Sequence, residues 1–67
     1  MGKESSGLDV LIEAYEEAPR ERKIQILEAM GRSGDPRAVP FLLEVLGEPF
    51  QVLRIVAASA LIQCLYR

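Results

Sequence analysis

The sequence predicts an all-α domain built from two copies of one helical hairpin. The chain repeats itself at a spacing of 31 residues, so that Leu11 aligns with Leu42 and Ala29 with Ala60. Four segments carry apolar residues at helical spacing, and proline or glycine marks each break between them. A period of roughly 20–50 residues is typical of repeat arrays, in which each unit buries its apolar side against its neighbours.

Length and composition limit the classes of function. The chain has 67 residues, enough for one small domain, and its aromatic content of 6% predicts an aliphatic core. The net charge of −2 argues against nucleic-acid binding, because phosphate contacts need clustered Lys and Arg. We expect neither a signal peptide nor a membrane span, since the longest apolar run, 55–62, is too short. Residues 1–6 are polar and are expected to form a disordered tail.

The first two helices are predicted at residues 8–17 and 19–31. Ser6 can cap the first helix. Pro19 suits the first position of the second helix, where a missing N–H costs nothing, and Gly31 is expected to end that helix in the left-handed conformation. The apolar side of the first helix is formed by Leu8, Leu11, Ile12 and Tyr15.

The third helix is predicted at residues 36–46. Asp35 followed by Pro36 is a strong start signal, since the carboxylate caps the helix and proline fits the first position. The helical spacing of the apolar residues predicts a core side made of Val39, Leu42, Leu43 and Leu46.

The fourth helix, residues 49–66, is apolar on nearly every side. Such a helix is normally buried on more than one side, and 67 residues are too few to cover both. We therefore expect self-association at this helix, through a two-fold dimer. The candidate self-association surface consists of Ile55, Val56, Ile62 and Leu65.

Two stretches resemble a known repeat. The string Gly-Asp-Pro-Arg-Ala-Val-Pro at residues 34–40, followed by leucines at 42, 43 and 46, resembles the inner-helix signature of the HEAT-like repeats first described in phycobilisome lyases. Leu53-Arg54, with Ala57 and Ala60-Leu61, resembles the outer helix. The resemblance covers residues 8–67 and implies a short right-handed α-solenoid, a single domain at 7–67 with about two repeats. Ile62 departs from it, because a glycine is expected there.

The resemblance also implies roles for particular residues. Asp35 would cap the inner helix, and Arg54 would brace a turn through a hydrogen bond. The inner helices would line a concave face, where such arrays hold their partners. Phe41 could belong to that face or pack as core against the first helix. The candidate partner surface consists of Val10, Glu13, Glu17, Arg37, Phe41, Glu44 and Val45.

Catalytic and metal chemistry find little support in the sequence. The chain has no histidine and a single cysteine, Cys64, which cannot form a disulfide framework or a zinc cluster. No glycine-rich phosphate loop is present, and the glutamates are interpreted as solvated surface charge. We therefore expect no enzyme activity, no cofactor and no metal, and a reducing, cytoplasmic setting.

The function predicted from the sequence is a non-catalytic protein–protein interaction or scaffold module. Its partner would be another protein, a second copy of itself, or further repeats of a longer chain. Two alternatives stay open: an accessory fragment of a bilin lyase-like protein that attaches chromophores, and a nucleic-acid-binding module. The acidic inner helices argue against the second alternative.

Overall fold

The computed structural model describes residues 7–66, which form helices joined by short turns, with no strand among them. The predicted all-α class is confirmed. The expected tail at residues 1–6 lies outside the described residues. The four helices are α1 (Gly7–Glu17), α2 (Arg20–Ser33), α3 (Val39–Val45) and α4 (Gln51–Leu65), and a 3₁₀ turn at Pro36–Ala38 leads into α3.

The end of α2 differs from the prediction. The helix continues through Gly31 to Ser33, and Gly34 takes the left-handed conformation with φ of 66°. Gly31 instead allows a close approach of two helices, because α4 crosses α2 at this residue. A Cβ atom on Gly31 would lie 3.0 Å from the Cα of Ala60. The glycine is therefore required by helix packing, and the expectation that it ends the helix is wrong.

The third helix starts where the sequence predicts, by way of a 3₁₀ turn. The Asp35 carboxylate accepts a hydrogen bond from the backbone N–H of Arg37 at 3.0 Å, which is the geometry of a helix cap. Pro40 lies in the first turn of α3, where its missing N–H breaks no helical hydrogen bond. The fourth helix begins at Gln51, two residues later than predicted, with Phe50 in its cap position.

The core lies where α2 and α3 pack on α4 and where α1 packs on α2. It is almost entirely aliphatic, as the composition predicts. Within residues 7–66 no polar or charged side chain is buried, so the interior is held by apolar contact. The buried residues are Tyr15, Ile26, Leu27, Met30, Ala38, Leu42, Val45, Leu53, Ala57, Ala60, Leu61 and Cys64.

The side of α3 that faces the core is not the predicted one. Leu43 is 54% exposed and Leu46 is also exposed, whereas Val45 is only 3% exposed. Ala38 in the 3₁₀ turn is buried, and it continues into Leu42 and Val45 at helical spacing. That turn sets the rotation of α3, so Leu43 and Leu46 point away from the core. Their assignment to the core is wrong.

Candidate functional site

Equivalent positions in the two copies differ in what covers them. Leu27 and Gly31 on α2 are buried, and α4 crosses α2 at Gly31. Thirty-one residues later, Ala58 and Ile62 occupy the same positions on α4, and both are exposed. The side of α2 that packs in the stack therefore has its counterpart on the open side of α4.

Four of the exposed residues of α4 form an apolar row along the helix, which we call the α4 stripe: Ile55, Ala58, Ile62 and Leu65. They recur at helical spacing and share one face of the helix. Ile55 and Ile62 are each 58% exposed, Leu65 is 62% exposed, and Ala58 is exposed. The core residues of α4 lie on the opposite face, so the helix is apolar on both sides, as the sequence predicts.

The same asymmetry holds for the first and third helices. Tyr15 of α1 packs edge-on against Phe41 of α3, with ring centroids 5.2 Å apart. The residue equivalent to Tyr15 is Leu46, and the residue equivalent to Ile12 is Leu43. Both leucines are exposed. By the same offset of 31 residues they correspond to packed residues of the first copy, and we call Leu43, Leu46 and the α4 stripe together the end surface.

Val56 does not belong to the α4 stripe. It is half-buried and packs against the core. With Ile55, it lines an open groove between α2 and α4, opposite Glu28 and Arg32 of α2. Of the four residues predicted for self-association, Ile55, Ile62 and Leu65 share the uncovered side, and Val56 is turned toward α2.

The exposed residues of α2 are all polar or charged, unlike those of α4. On α4 the exposed residues are mostly aliphatic, with Gln51, Ser59 and Gln63 as the polar ones. An exposed apolar patch bounded by polar residues is typical of an interaction site. The exposed residues of α2 are Arg20, Glu21, Arg22, Gln25, Glu28, Arg32 and Ser33.

The predicted inner-helix partner surface is only partly present. Val45 is buried beneath α3 and cannot contact a partner, so its place on that surface is wrong. The reason is the rotation of α3 that also exposes Leu43. Five of the predicted residues are exposed, namely Val10, Glu13, Glu17, Arg37 and Glu44.

Phe41 and Arg37, two residues of that surface, make contacts within the chain. Phe41 is half-buried against Tyr15, which favours its interpretation as core packing between α1 and α3. Arg37 is exposed, and its guanidinium Nη2 lies 2.8 Å from the Asp35 carboxylate. Because Phe41 is half-buried, only part of its ring is accessible to a partner at this surface.

A polar contact that the sequence did not predict joins the two copies. The Tyr15 hydroxyl donates a hydrogen bond to the Glu48 carboxylate at 3.0 Å. Lys23 places its Nζ 4.9 Å from the centroid of the Tyr15 ring. Burial raises the pKa of Tyr15 above its ordinary value, and the hydrogen bond to Glu48 and the charge of that carboxylate add to the rise.

Two cationic side chains hold the turn between α3 and α4. The Arg54 guanidinium donates a hydrogen bond to the backbone carbonyl of Glu48 at 2.6 Å. The Arg20 guanidinium lies 3.8 Å from the centroid of the Phe50 ring, a cation–π contact. The two contacts tie the turn to α2, which carries Arg20, and to α4, which carries Arg54.

Residues 7–66 contain no group of three or more carboxylate or cysteine ligands placed to hold a metal ion. Cys64 is buried, and its Sγ lies 3.8 Å from the Met30 carbonyl oxygen. None of the helices in this part of the chain has the length and hydropathy needed to cross a membrane.

Two stacked helical hairpins with an apolar end surface define a short α-helical repeat array. A family model for HEAT repeats matches residues 2–62, and the chain belongs to the HEAT repeat family. No curated protein and no solved structure gives a significant match.

Proposed function

We propose that the chain is a non-catalytic protein-interaction module and that the end surface is its binding site. HEAT repeats generally mediate protein interaction or scaffolding. The observation that carries the proposal is the exposure of Ile62 and Leu43, whose equivalents in the first copy are packed within the stack. A repeat array buries the apolar side of each unit against the next unit, so an uncovered apolar end needs a partner.

The physical reason is the free energy of apolar surface in water. Burying such surface contributes about 25 cal/mol per Å², and Ile55, Ile62 and Leu65 each leave more than half of their surface uncovered. No charged side chain lies among the residues of the end surface. A partner therefore gains affinity by covering aliphatic groups.

Three finer assignments belong to this proposal. The repeat is of the phycobilisome-lyase type, on the strength of the Gly-Asp-Pro-Arg-Ala-Val-Pro string at residues 34–40. Residues 7–67 form one domain. The setting is the reducing cytoplasm, which suits a chain with a single, buried cysteine.

Site-specific photo-crosslinking in cells tests the proposal. A photoreactive phenylalanine analogue replaces Ile62 in one variant and Gln25, an exposed residue of α2, in a matched control. We expect covalent protein adducts at position 62 and few at position 25. Equal yields at the two positions would contradict the assignment of the end surface as the binding site.

A further inference from the structure

The α4 stripe has a spacing that reads the same in both directions. Ile55 and Ala58 are three residues apart, Ala58 and Ile62 four, and Ile62 and Leu65 three. A second α4 running in the opposite direction therefore presents its stripe at matching heights. The centre of the pattern is at the level of Ala60.

We propose that the occupant of the end surface is a second copy of this chain, with the two α4 helices antiparallel about a two-fold axis at the level of Ala60. This inference rests on the proposed function and names its partner. In this arrangement Ala58 faces Ile62 of the second copy, and Ile55 faces Leu65 of the second copy. Each contact occurs twice, as a two-fold interface requires.

The sizes of the facing side chains are complementary. The small Ala58 lies opposite the large Ile62 at both central positions, so the branched side chain enters the space that alanine leaves. The alternation of three- and four-residue steps is the spacing by which paired helices pack knobs into holes. Two such helices pack at an angle of about 20°, which keeps the stripes in contact along their length.

The charges favour a symmetric pair. No residue of the α4 stripe is charged, so the two-fold axis brings no like charges together along it. Arg54 lies one turn before Ala58, and its guanidinium is held within its own chain by the Glu48 carbonyl. The net charge of −2 on each copy adds little repulsion between them.

A head-to-tail arrangement fits poorly. It would place the α4 stripe of one copy against α2 of the next, where Glu21, Arg22 and Gln25 are exposed. Burying such charges against aliphatic side chains without partners is costly. The stack therefore closes as a two-fold pair and does not extend into a filament.

A third repeat that packed on α4 in the way that α4 packs on α2 also fits poorly. The close crossing of α2 and α4 depends on Gly31, because a Cβ there would lie 3.0 Å from the Cα of Ala60. The equivalent position on α4 is Ile62, whose side chain prevents the same approach. The α4 stripe thus differs from the surface that receives a neighbouring repeat within this chain.

The size of the contact sets the concentration at which it forms. A helix of 15 residues is about 22 Å long, so the paired stripes alone bury less than the ~800 Å² per partner of a standard interface. The exposed Leu43 and Leu46 enlarge the apolar end but lie outside the stripe. We therefore expect reversible association in the micromolar range.

Sedimentation equilibrium over a range of micromolar concentrations measures the association. We expect the mean mass to rise from 7.4 kDa toward twice that value, without larger species. Gln25→Lys is the control and should associate like the natural chain, since Gln25 lies outside the end surface. A mass of 7.4 kDa at every concentration, or a continued rise beyond the dimer, would overturn the proposal.

Two variants test the facing of positions 58 and 62. Ala58→Glu and Ile62→Lys should each remain monomeric, because each places two charges in an apolar contact. An equimolar mixture should regain at least tenfold tighter association than either variant alone, since the mixed pair joins one glutamate to one lysine and keeps one alanine–isoleucine contact. Circular dichroism checks that both variants are folded. Folded variants that do not associate when mixed would overturn the antiparallel arrangement.

The failure of this inference can be told from failure of the proposed function. If the purified chain is monomeric while position 62 still forms adducts with a different protein in cells, the second copy is the wrong occupant and the interaction module stands. If position 62 forms no adduct in cells and the purified chain is monomeric, both are overturned.

Discussion

Helices α2 and α4 are equivalent in the repeat and differ in how their sides are used. The side of α2 that carries Leu27 and Gly31 is packed within the stack, and its remaining surface is polar or charged. On α4 the corresponding side carries Ala58 and Ile62 and is uncovered. The exposed residues of α2 are polar or charged, and those of α4 are mostly aliphatic. The two repeats therefore share a fold, although the same side of the second helix is packed in one repeat and exposed in the other.

The largest expected effect comes from removing a packed side chain of α2. Leu27→Ala leaves a cavity at a fully buried position and should lower the free energy of unfolding by about 2–5 kcal/mol. Ile55→Ala, on the open side of α4, should cost well under half of that at concentrations where the chain is monomeric. Urea denaturation of both variants measures the difference, and equal losses would break the contrast between the two helices.

The second test gives α2 the side chain that α4 carries at the same position. Gly31→Ile places a branched side chain against the backbone at Ala60 and should destabilise the chain by about 1–3 kcal/mol. Gln25→Ile, on the exposed surface of the same helix, controls for helix propensity and should change stability by a few tenths of a kcal/mol. Thermal unfolding followed by circular dichroism compares the two. A neutral Gly31→Ile would show that the close crossing is not required.

The hydrogen bond from Tyr15 to Glu48, which joins the two repeats, makes the free energy of unfolding depend on pH in the alkaline range. The pKa of Tyr15 is higher in the folded chain than in the unfolded chain, so the unfolded chain loses its proton first as the pH rises. Stability is therefore unaffected by Tyr15 below about pH 10, and it falls by up to about 1.4 kcal/mol per pH unit above that value.

Tyr15→Phe tests this link between the copies, because it removes the titrating hydroxyl and keeps the ring against Phe41. Urea denaturation between pH 8 and about pH 11 should give a flatter pH dependence for this variant. Lys23, which lies over the ring, and Glu48, which accepts from the hydroxyl, remain in the sequence of this variant. Tyr66→Phe at an exposed position is the control and should behave like the natural chain. An unchanged pH dependence in Tyr15→Phe would contradict the role of this hydroxyl.

The smallest effect concerns the start of the second copy. Asp35→Ala removes the carboxylate that accepts the N–H of Arg37 and should cost about 1 kcal/mol. Asp35→Asn keeps an acceptor and should recover most of that loss, which separates capping from the ion pair with Arg37. Thermal unfolding measures both, and an equal loss in the two variants would assign the effect to the charge.

The sequence predicts the parts of this fold that depend on local signals. Proline and glycine mark the breaks, so the number and order of the helices follow from them, and Asp35 with Pro36 marks the start of the second hairpin. The prediction that Gly31 ends α2 is wrong because glycine suits a helix end and a close helix crossing equally well. Only the position of α4 distinguishes the two purposes.

The rotation of α3 could not be derived from the sequence. Its seven residues are too few for apolar spacing to choose between a side with Leu43 and a side with Val45. The buried Ala38 in the preceding 3₁₀ turn decides, and an alanine there carries no such signal. The hydrogen bond from Tyr15 to Glu48 spans 33 residues and has no local trace.

The sequence predicts the candidate site better than it predicts the rotation of α3 or the hydrogen bond from Tyr15 to Glu48. An α4 that is apolar on both sides already indicates an uncovered face, because apolar periodicity within one helix is a local property. The structure was needed to separate Ile55, Ile62 and Leu65 from Val56, which packs toward α2. It was also needed to add Ala58, a small residue whose importance lies in what it can face.

Sedimentation equilibrium of the equimolar mixture of Ala58→Glu and Ile62→Lys tests the central claim most directly. If the two α4 helices pair antiparallel, the mixture reaches twice 7.4 kDa at micromolar concentrations at which each variant alone stays at 7.4 kDa. A mixture that remains at the single-chain mass, with both variants folded, would contradict it.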